Sequence, residues 1–383
     1  MDPTINFCKL HSSFEIKTDI SIVKKEVEIF IWKEDISYFE EDIIFSEKDP
    51  EFYNDIIDLE KYNRLKIIKN TYDNDNFIRI RNVTNPFEDI GKSIFMNRAG
   101  VKIANIDSIF SVSSDDYSLL NQKSSKQNFI FCDIAGAPGA FTQYLQWRIP
   151  NSKGIGISIK SKIKWNEKLL NINNFEIYYG DSNSGDLLIE SENFIKYIFE
   201  KFPDGIDLAL ADGGFEVVGE EERQEVLSIS LILSEILIGL EVTKKGGNFF
   251  CKIFDTFTKP MLDLLFILSI SFNKIVIFKP MSSRPANSER YVVCLERNNN
   301  RNVIQILKKI FKDDNFKKLM LHSIISKIPD TFINYIKDIN NLSLNNQISA
   351  GERIIKSMGG LDVDIPKFNL NRALIVWNIP GNK

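Results

Sequence analysis

Histidine is almost missing from this 383-residue chain. His11 and His322 are the only two, and with no C-x-x-C or H-x-x-x-H spacing anywhere a zinc site, or any other metal site, is not expected. Cysteine is scarce too: Cys8, Cys132, Cys251 and Cys294 stand far apart, and three of them lie in strand-like apolar runs, which suits reduced core thiols rather than a disulfide framework. No basic start, apolar core and small-residue site mark a cleaved leader at the N-terminus. A long uninterrupted hydrophobic run is also lacking. The longest, Val226 to Val242, contains Ser228, Ser230, Ser234 and Glu235, and it reads as a buried helix rather than a membrane span. The net charge of −4 shows no basic excess, which argues against a generic nucleic-acid coat. These absences lead to the expectation of a soluble intracellular protein without a membrane partner.

What is present is enough apolar residue, 43%, to fill the core of one large α/β domain with appendages, or of two domains. Charge is uneven. Acid gathers at Glu34, Asp35, Glu40, Glu41, Asp42, Glu47 and Asp49, whereas Arg79, Arg81, Lys92, Arg98 and Lys102, then Lys160, Lys162, Lys164 and Lys168, form basic stretches. Two solvated faces are the ordinary reading of such a pattern, and a local groove for RNA is the other.

Residues 1–75 carry no motif and read as an N-terminal extension. From Asn85, "NPFEDIGKSIFMNRAGVKIANIDSIF" puts Asn85 at N-cap, Pro86 at N1 and Glu88 at N3, which predicts a helix running through Ile109 with Arg98 and Lys102 one turn apart. Seven strand candidates then alternate with loops and helices: "NFIFCDI", "GIGISI", "FEIYYGD", "IDLALADGG", "NFFCKIF", "NKIVIFKP" and "RYVVCLE". A long helix from Arg223, closed near Gly246 and Gly247, is expected between the fourth and fifth. The pattern predicts a doubly wound, mostly parallel seven-stranded α/β sheet over residues 76–300, with "RNNNRN" as a linker. Residues 301–383 read as a helical region ending in a strand, "RALIVWNIP".

In such sheets ligands bind at the carboxyl ends of the strands. After the first strand comes the small-residue loop Ala135, Gly136, Ala137, Pro138, Gly139, Ala140, Phe141, which is neither G-x-G-x-x-G nor a P-loop and can either receive a ligand or simply turn tightly. Asp212 ends the fourth strand. Lys252 interrupts the fifth, where a lysine must either snorkel or have a depressed pKa and a task. With Glu289 at the foot of the last strand and Lys102 on the expected helix, they make a lysine, aspartate, lysine, glutamate set on one rim. A lysine beside another cation in a partly dry cleft can act as general base toward a weakly acidic hydroxyl.

The blocks "NRAGVKIANID", "CDIAGAPGAFTQYLQWR", "YYGDSNSGDL", "ADGGFEVVG", "GGNFFCKIFDTFT" and "KPMSSRPANSERYVVC", covering roughly residues 80–300, resemble the eukaryotic cap-specific mRNA (nucleoside-2'-O-)-methyltransferases of the cap-1 type, in the FtsJ-like branch of the Rossmann-fold methyltransferases. The resemblance implies S-adenosylmethionine as cofactor and 2'-O-methylation of the first transcribed nucleotide of capped mRNA. It implies Lys102, Asp212, Lys252 and Glu289 as the catalytic set, with Lys252 the proton acceptor. Asn97, Ala135 through Phe141, Asp186 and Leu187 would hold the cofactor, and Arg81 and Asn287 would touch the RNA. Ala140 stands where the family usually has a further glycine. The capped mRNA 5' end, other capping enzymes and RNA polymerase are the partners implied, not DNA, with action in nucleus or cytoplasm. A ribose methyltransferase on rRNA or tRNA and a non-catalytic RNA-binding subunit of a capping complex are the alternatives.

Overall fold

The computed structural model describes residues 8–10, 27–32, 39–72, 76–110, 128–215, 219–298, 300, 302–365 and 369–380. In chain order these form β1 (Cys8–Leu10), β2 (Val27–Ile29), β3 (Glu41–Ser46), α1 (Leu59–Asn70), α2 (Phe77–Val83), α3 (Ala99–Phe110), β4 (Ile130–Ile134) and α4 (Ala140–Arg148). Next come β5 (Lys153–Ile157), β6 (Phe175–Tyr178), α5 (Leu187–Lys201), β7 (Ile206–Ala211), α6 (Gln224–Val242), β8 (Thr243–Ile253), α7 (Lys259–Ser269), β9 (Phe272–Phe278) and β10 (Arg290–Arg297). The chain continues through α8 (Asn302–Lys312), β11 (Met320–Ile325), α9 (Asp330–Met358) and α10 (Leu370–Val376).

The expected strand runs all enter one 7-stranded sheet of order β6-β5-β4-β7-β8-β10-β9. Neighbours from β6 to β8 are parallel, and β10 runs antiparallel to both β8 and β9. The sheet is covered on both faces because its central strands are apolar on both, as period-2 alternation requires of buried strands. Leu208, Leu210, Phe250, Tyr291 and Val293 point into a cluster with Val101 of α3 and Phe141 of α4. Ala209, Ala211, Phe249, Cys251, Val292 and Cys294 point into the other, with α5, α6 and α7. Cys132, Cys251 and Cys294 are buried free thiols. Among the described residues no helix is long and apolar enough to cross a membrane.

Four local expectations are corrected. The helix predicted from Asn85 starts at Ala99. Asn85 and Glu88 do bond, Nδ2 to Oε2 at 2.7 Å, but they close only a 3-10 turn over Glu88–Ile90, which Gly91 ends with φ +56°. The long helix stops at Val242, and Thr243 already pairs with Ile206 in β8; Gly246 at φ +78° lets the strand bulge before Asn248 meets Leu208. "RNNNRN" is no loose linker at its described residues, since buried Arg297 donates to the carbonyls of Ser271 (2.7 Å), Asn298 (3.1 Å) and Asn300 (3.1 Å). The terminal "RALIVWNIP" is helical, not a strand: Asn369 caps α10 by accepting from Arg372 N–H, and Ala373, Leu374 and Trp377 fill the core beside α3.

The flanking segments pack on the same core. Val303, Leu307 and Ile310 of α8 and Phe332, Tyr335 and Ile336 of α9 join the cluster under α6 and α7. β11 pairs with β3, and buried Asp263 of α7 accepts from the amides of Ile324 (2.7 Å) and Ile325 (3.3 Å), fixing that small sheet to the large one.

Candidate active site

The loop after β4 is built around Asp133. Its buried carboxylate accepts through Oδ2 from the Thr142 amide (3.2 Å) and hydroxyl (2.6 Å), tying the strand end to the first turn of α4. Its Oδ1 is buried without a partner among the described residues. Burial pushes Asp133 up to about 7, against the pull of the Thr142 hydroxyl. A Cβ on Gly136 would fall 2.3 Å from this carboxyl group and one on Gly139, which turns into α4 at φ +101°, would fall 2.8 Å from the Leu170 side chain, so glycine at both positions is what lets the loop pack this closely. Asp186, after β6, caps α5 by accepting from Leu188 N–H at 2.9 Å, and Leu187 is buried beside it. Asn97 caps α3 by accepting from Ala99 N–H at 2.8 Å, and Met96 N–H donates to Gln143 of α4 at 2.7 Å, which brings the Asn97 turn to the same helix. Each proposed cofactor residue thus sits at a strand or helix end, and both side-chain candidates, Asn97 and Asp186, are already engaged by one oxygen in capping.

The four charged residues come together as two ion pairs. Lys102 Nζ lies 2.6 Å from Glu289 Oε1, which also accepts from the Ser283 hydroxyl at 2.8 Å. Lys252 Nζ donates to the Asp212 carbonyl at 2.9 Å and lies 3.3 Å from Asp212 Oδ1. They meet because alternation turns Lys252 and Asp212 toward the face covered by α3, and because β10 is reversed, so that its N-terminal foot lies at the carboxyl ends of its neighbours. Burial alone would raise Glu289, but the ammonium groups of Lys102 and then Lys252 hold it down at about 2.

Lys252 departs from the sequence reading. Burial alone would lower its pKa, yet the charges of Asp212, Glu289 and Glu235 outweigh this and raise it above the ordinary lysine value. In the ligand-free state it is an ammonium, not a depressed amine.

Sequence reasoning missed three participants. Tyr291, two residues after Glu289 and so on the same face of β10, donates to Asp212 Oδ1 at 2.8 Å; the alternation of β10 was the signal. Glu235, which interrupts the apolar run of α6, accepts from Gly213 N–H at 3.0 Å behind the site. Lys279 gathers the turn after β9 by donating to Asn287 Oδ1 (2.7 Å), Asn287 O (2.8 Å) and Glu289 O (2.9 Å).

Asn287 is exposed on this turn. Arg81, on α2, stands 5.6 Å over the Phe77 ring and reaches Asn82 Oδ1 at 3.3 Å; burial, then the neighbouring charge of Arg284, lowers its pKa, which places it close to the same turn. Arg284 pairs with Glu88 (2.9 Å), as does Arg98 (2.8 Å). Arg290 instead is buried and donates to Phe254 O at 2.9 Å and Asn340 Oδ1 at 3.4 Å, a structural tie to α9.

Comparison with known proteins gives this geometry a context. The cap-specific mRNA (nucleoside-2'-O-)-methyltransferase 1 of Dictyostelium discoideum is 34% identical over 341 residues, which are 81% of this chain and 44% of that one. The protein of the same name from Xenopus laevis is 38% identical over 239 residues, 56% of this chain and 27% of its own. The inactive cap-specific mRNA (nucleoside-2'-O-)-methyltransferase 1B of Caenorhabditis briggsae is 30% identical over 346 residues, covering 79% and 40%. The chain spans less than half the length of these curated relatives. Residues 95–297, which carry both ion pairs and the whole of the large sheet, match the FtsJ-like methyltransferase family, and the chain belongs to it.

Proposed function

We propose that the protein methylates the 2'-hydroxyl of the first transcribed nucleotide of capped mRNA, with Lys252 as proton acceptor. The observation that carries this reading is the two partly buried ion pairs, Lys102–Glu289 and Lys252–Asp212, on one rim beside the Gly136–Gly139 loop. The cap and the 2'-position come from the names of the curated relatives.

S-adenosylmethionine, the donor implied by the family, supplies an electrophilic methyl group. The amides at the start of α4, which no side chain caps, and the acid at Asp186 fit a cofactor with a carboxylate at one end and hydrogen-bond donors at the other. Holding both reactants in line is the largest contribution available to the chain. Lys252 then receives the hydroxyl proton once it has released its own, which positive charge brought beside it favours. Lys102 stabilises charge developing on the ribose oxygen, and Asp212 and Glu289 keep the two ammonium groups in place. Asn287, exposed on the turn, and Arg81 beside it provide the RNA contacts. A target that must present a 2'-hydroxyl excludes DNA.

The test is methyl transfer to a capped oligoribonucleotide, to its uncapped counterpart and to rRNA and tRNA fragments, with the modified position mapped by mass spectrometry. Methylation confined to the first nucleotide of the capped RNA is expected, with Lys252→Ala inactive yet still binding S-adenosylhomocysteine. Equal methylation of uncapped RNA would remove the cap from the reading, and an active Lys252→Ala would remove the mechanism.

A further inference from the structure

We propose that Glu235 is a positioning residue for this reaction: from the far face of the sheet its carboxyl group orients the peptide between Asp212 and Gly213, and so sets how Asp212 and Lys252 meet. The inference rests on the reading of Lys252 given above.

Glu235 lies in the middle of α6 with no exposed surface, in a stretch that is otherwise almost wholly apolar. A carboxyl group there is costly unless its oxygens are used. Both are. Oε1 accepts from Gly213 N–H at 3.0 Å and Oε2 accepts from the Cys251 thiol at 3.3 Å. Gly213 directly follows Asp212, and Cys251 directly precedes Lys252, so one side chain holds the backbone after Asp212 and the thiol of the residue before Lys252. It does so from the face where Cys251 points, opposite the face of Lys252.

The decisive point is that a single peptide unit is held from both ends. The N–H that Glu235 accepts and the carbonyl that Lys252 donates to, at 2.9 Å, belong to the same Asp212–Gly213 peptide. That unit is planar, so fixing its N–H direction fixes its carbonyl direction. Hydrogen bonds in such a chain also polarise one another. The fit is close: a Cβ on Gly213 would lie 2.1 Å from Glu235 Oε1, so glycine is what lets the carboxyl group reach the backbone. Burial pushes Glu235 up to about 8, against the Cys251 hydrogen bond and the Lys252 charge, and what Gly213 requires of it is an accepting oxygen rather than a charge. Its role is therefore one that a glutamine can fill and an apolar side chain of similar volume cannot.

The experiment compares Glu235→Gln, Glu235→Met and Gly213→Ala in steady-state methyl transfer, in S-adenosylhomocysteine affinity and in crystal structures. Glu235→Met is expected to lower kcat by about tenfold or more, since misplacement by 1 Å can cost on the order of a hundredfold. Its cofactor affinity should stay within about twofold, and its Lys252 Nζ should move beyond roughly 3.5 Å from the Asp212 carbonyl. Glu235→Gln should retain most of kcat and the contact. Gly213→Ala should behave as Glu235→Met does, and it decides the matter if Glu235→Met does not fold. Unchanged kcat with an unchanged Lys252 contact would overturn the proposal, as would a glutamine variant as impaired as the methionine one. Failure of the unmutated protein to act on capped RNA strikes the functional reading instead, and the crystallographic contact then still decides the role of Glu235.

Discussion

Raising the pH should accelerate the reaction over an unusually wide range. Lys252 donates to the Asp212 carbonyl and stands beside its carboxylate, and the neighbouring carboxylates raise its pKa above the ordinary lysine value in the ligand-free protein. At neutral pH the neutral amine is then a small minority, and each unit of pH raises that fraction about tenfold. Because kcat/KM reports the ionisations of the free enzyme, it should climb about a hundredfold between roughly pH 6.5 and 8.5 and should not level off below about pH 9. The assay is initial rate with both capped RNA and S-adenosylmethionine subsaturating, at constant ionic strength in overlapping buffers. The contribution of Lys252 to folding persists over this range, because a raised lysine pKa stabilises the folded state below the unfolded value and is lost only as pH rises through the folded one. Asp212→Asn removes the strongest of the charges that raise Lys252, so its rising limb should shift to lower pH even though the rate falls. A plateau below about pH 9 in the unmutated protein, or a limb that Asp212→Asn leaves in place, would refute the assignment of Lys252 as the titrating base.

Other consequences follow from the buried polar groups. Burial pushes Asp133, Glu225 and Glu235 up to about 7, 7 and 8, so the folded state keeps protons that the unfolded chain releases above its ordinary carboxylate range. Thermal stability should therefore peak near about pH 5 and decline toward about pH 8, and a melting temperature that climbs throughout that interval would contradict this. Arg290→Ala leaves the Phe254 carbonyl and Asn340 without their buried donor and should cost roughly 3 kcal/mol in urea unfolding; an unchanged midpoint would deny the tie between β10 and α9. Asp186→Ala should lose about 1 kcal/mol through the α5 cap and should also weaken S-adenosylhomocysteine binding by calorimetry; lost stability with intact binding would leave Asp186 a cap alone.

The large sheet was legible because its strands are short and apolar on both faces, a pattern fixed by local alternation, and the rim set followed from strand ends. Boundaries set by tertiary context were not. Asn85 and Glu88 form the hydrogen bond that a helix start would use, yet Gly91 takes a positive φ and the helix waits for Asn97 to cap it. "RALIVWNIP" is a short apolar run of the kind strands use, but Leu374 and Trp377 join Phe87 in the core wound as a helix. The protonation of Lys252 was illegible for a similar reason. A lysine in an apolar run shows its desolvation in the sequence, whereas Asp212, Glu289 and Glu235, which reverse the sign, come from distant elements.

The reversed β10 bears on how the protein is made. Lys102, Asp212 and Lys252 are all in place by the time the chain has laid down β8, but the carboxylate that balances Lys102 arrives only with the last strand of the sheet, inserted between β8 and β9. Until that insertion a growing chain would hold two ammonium groups against one carboxylate in a half-built cleft, an arrangement that resists drying. Docking of β10 thus completes the sheet and neutralises the site in one event, and a molecule whose charged centre is assembled has by that fact closed its large sheet.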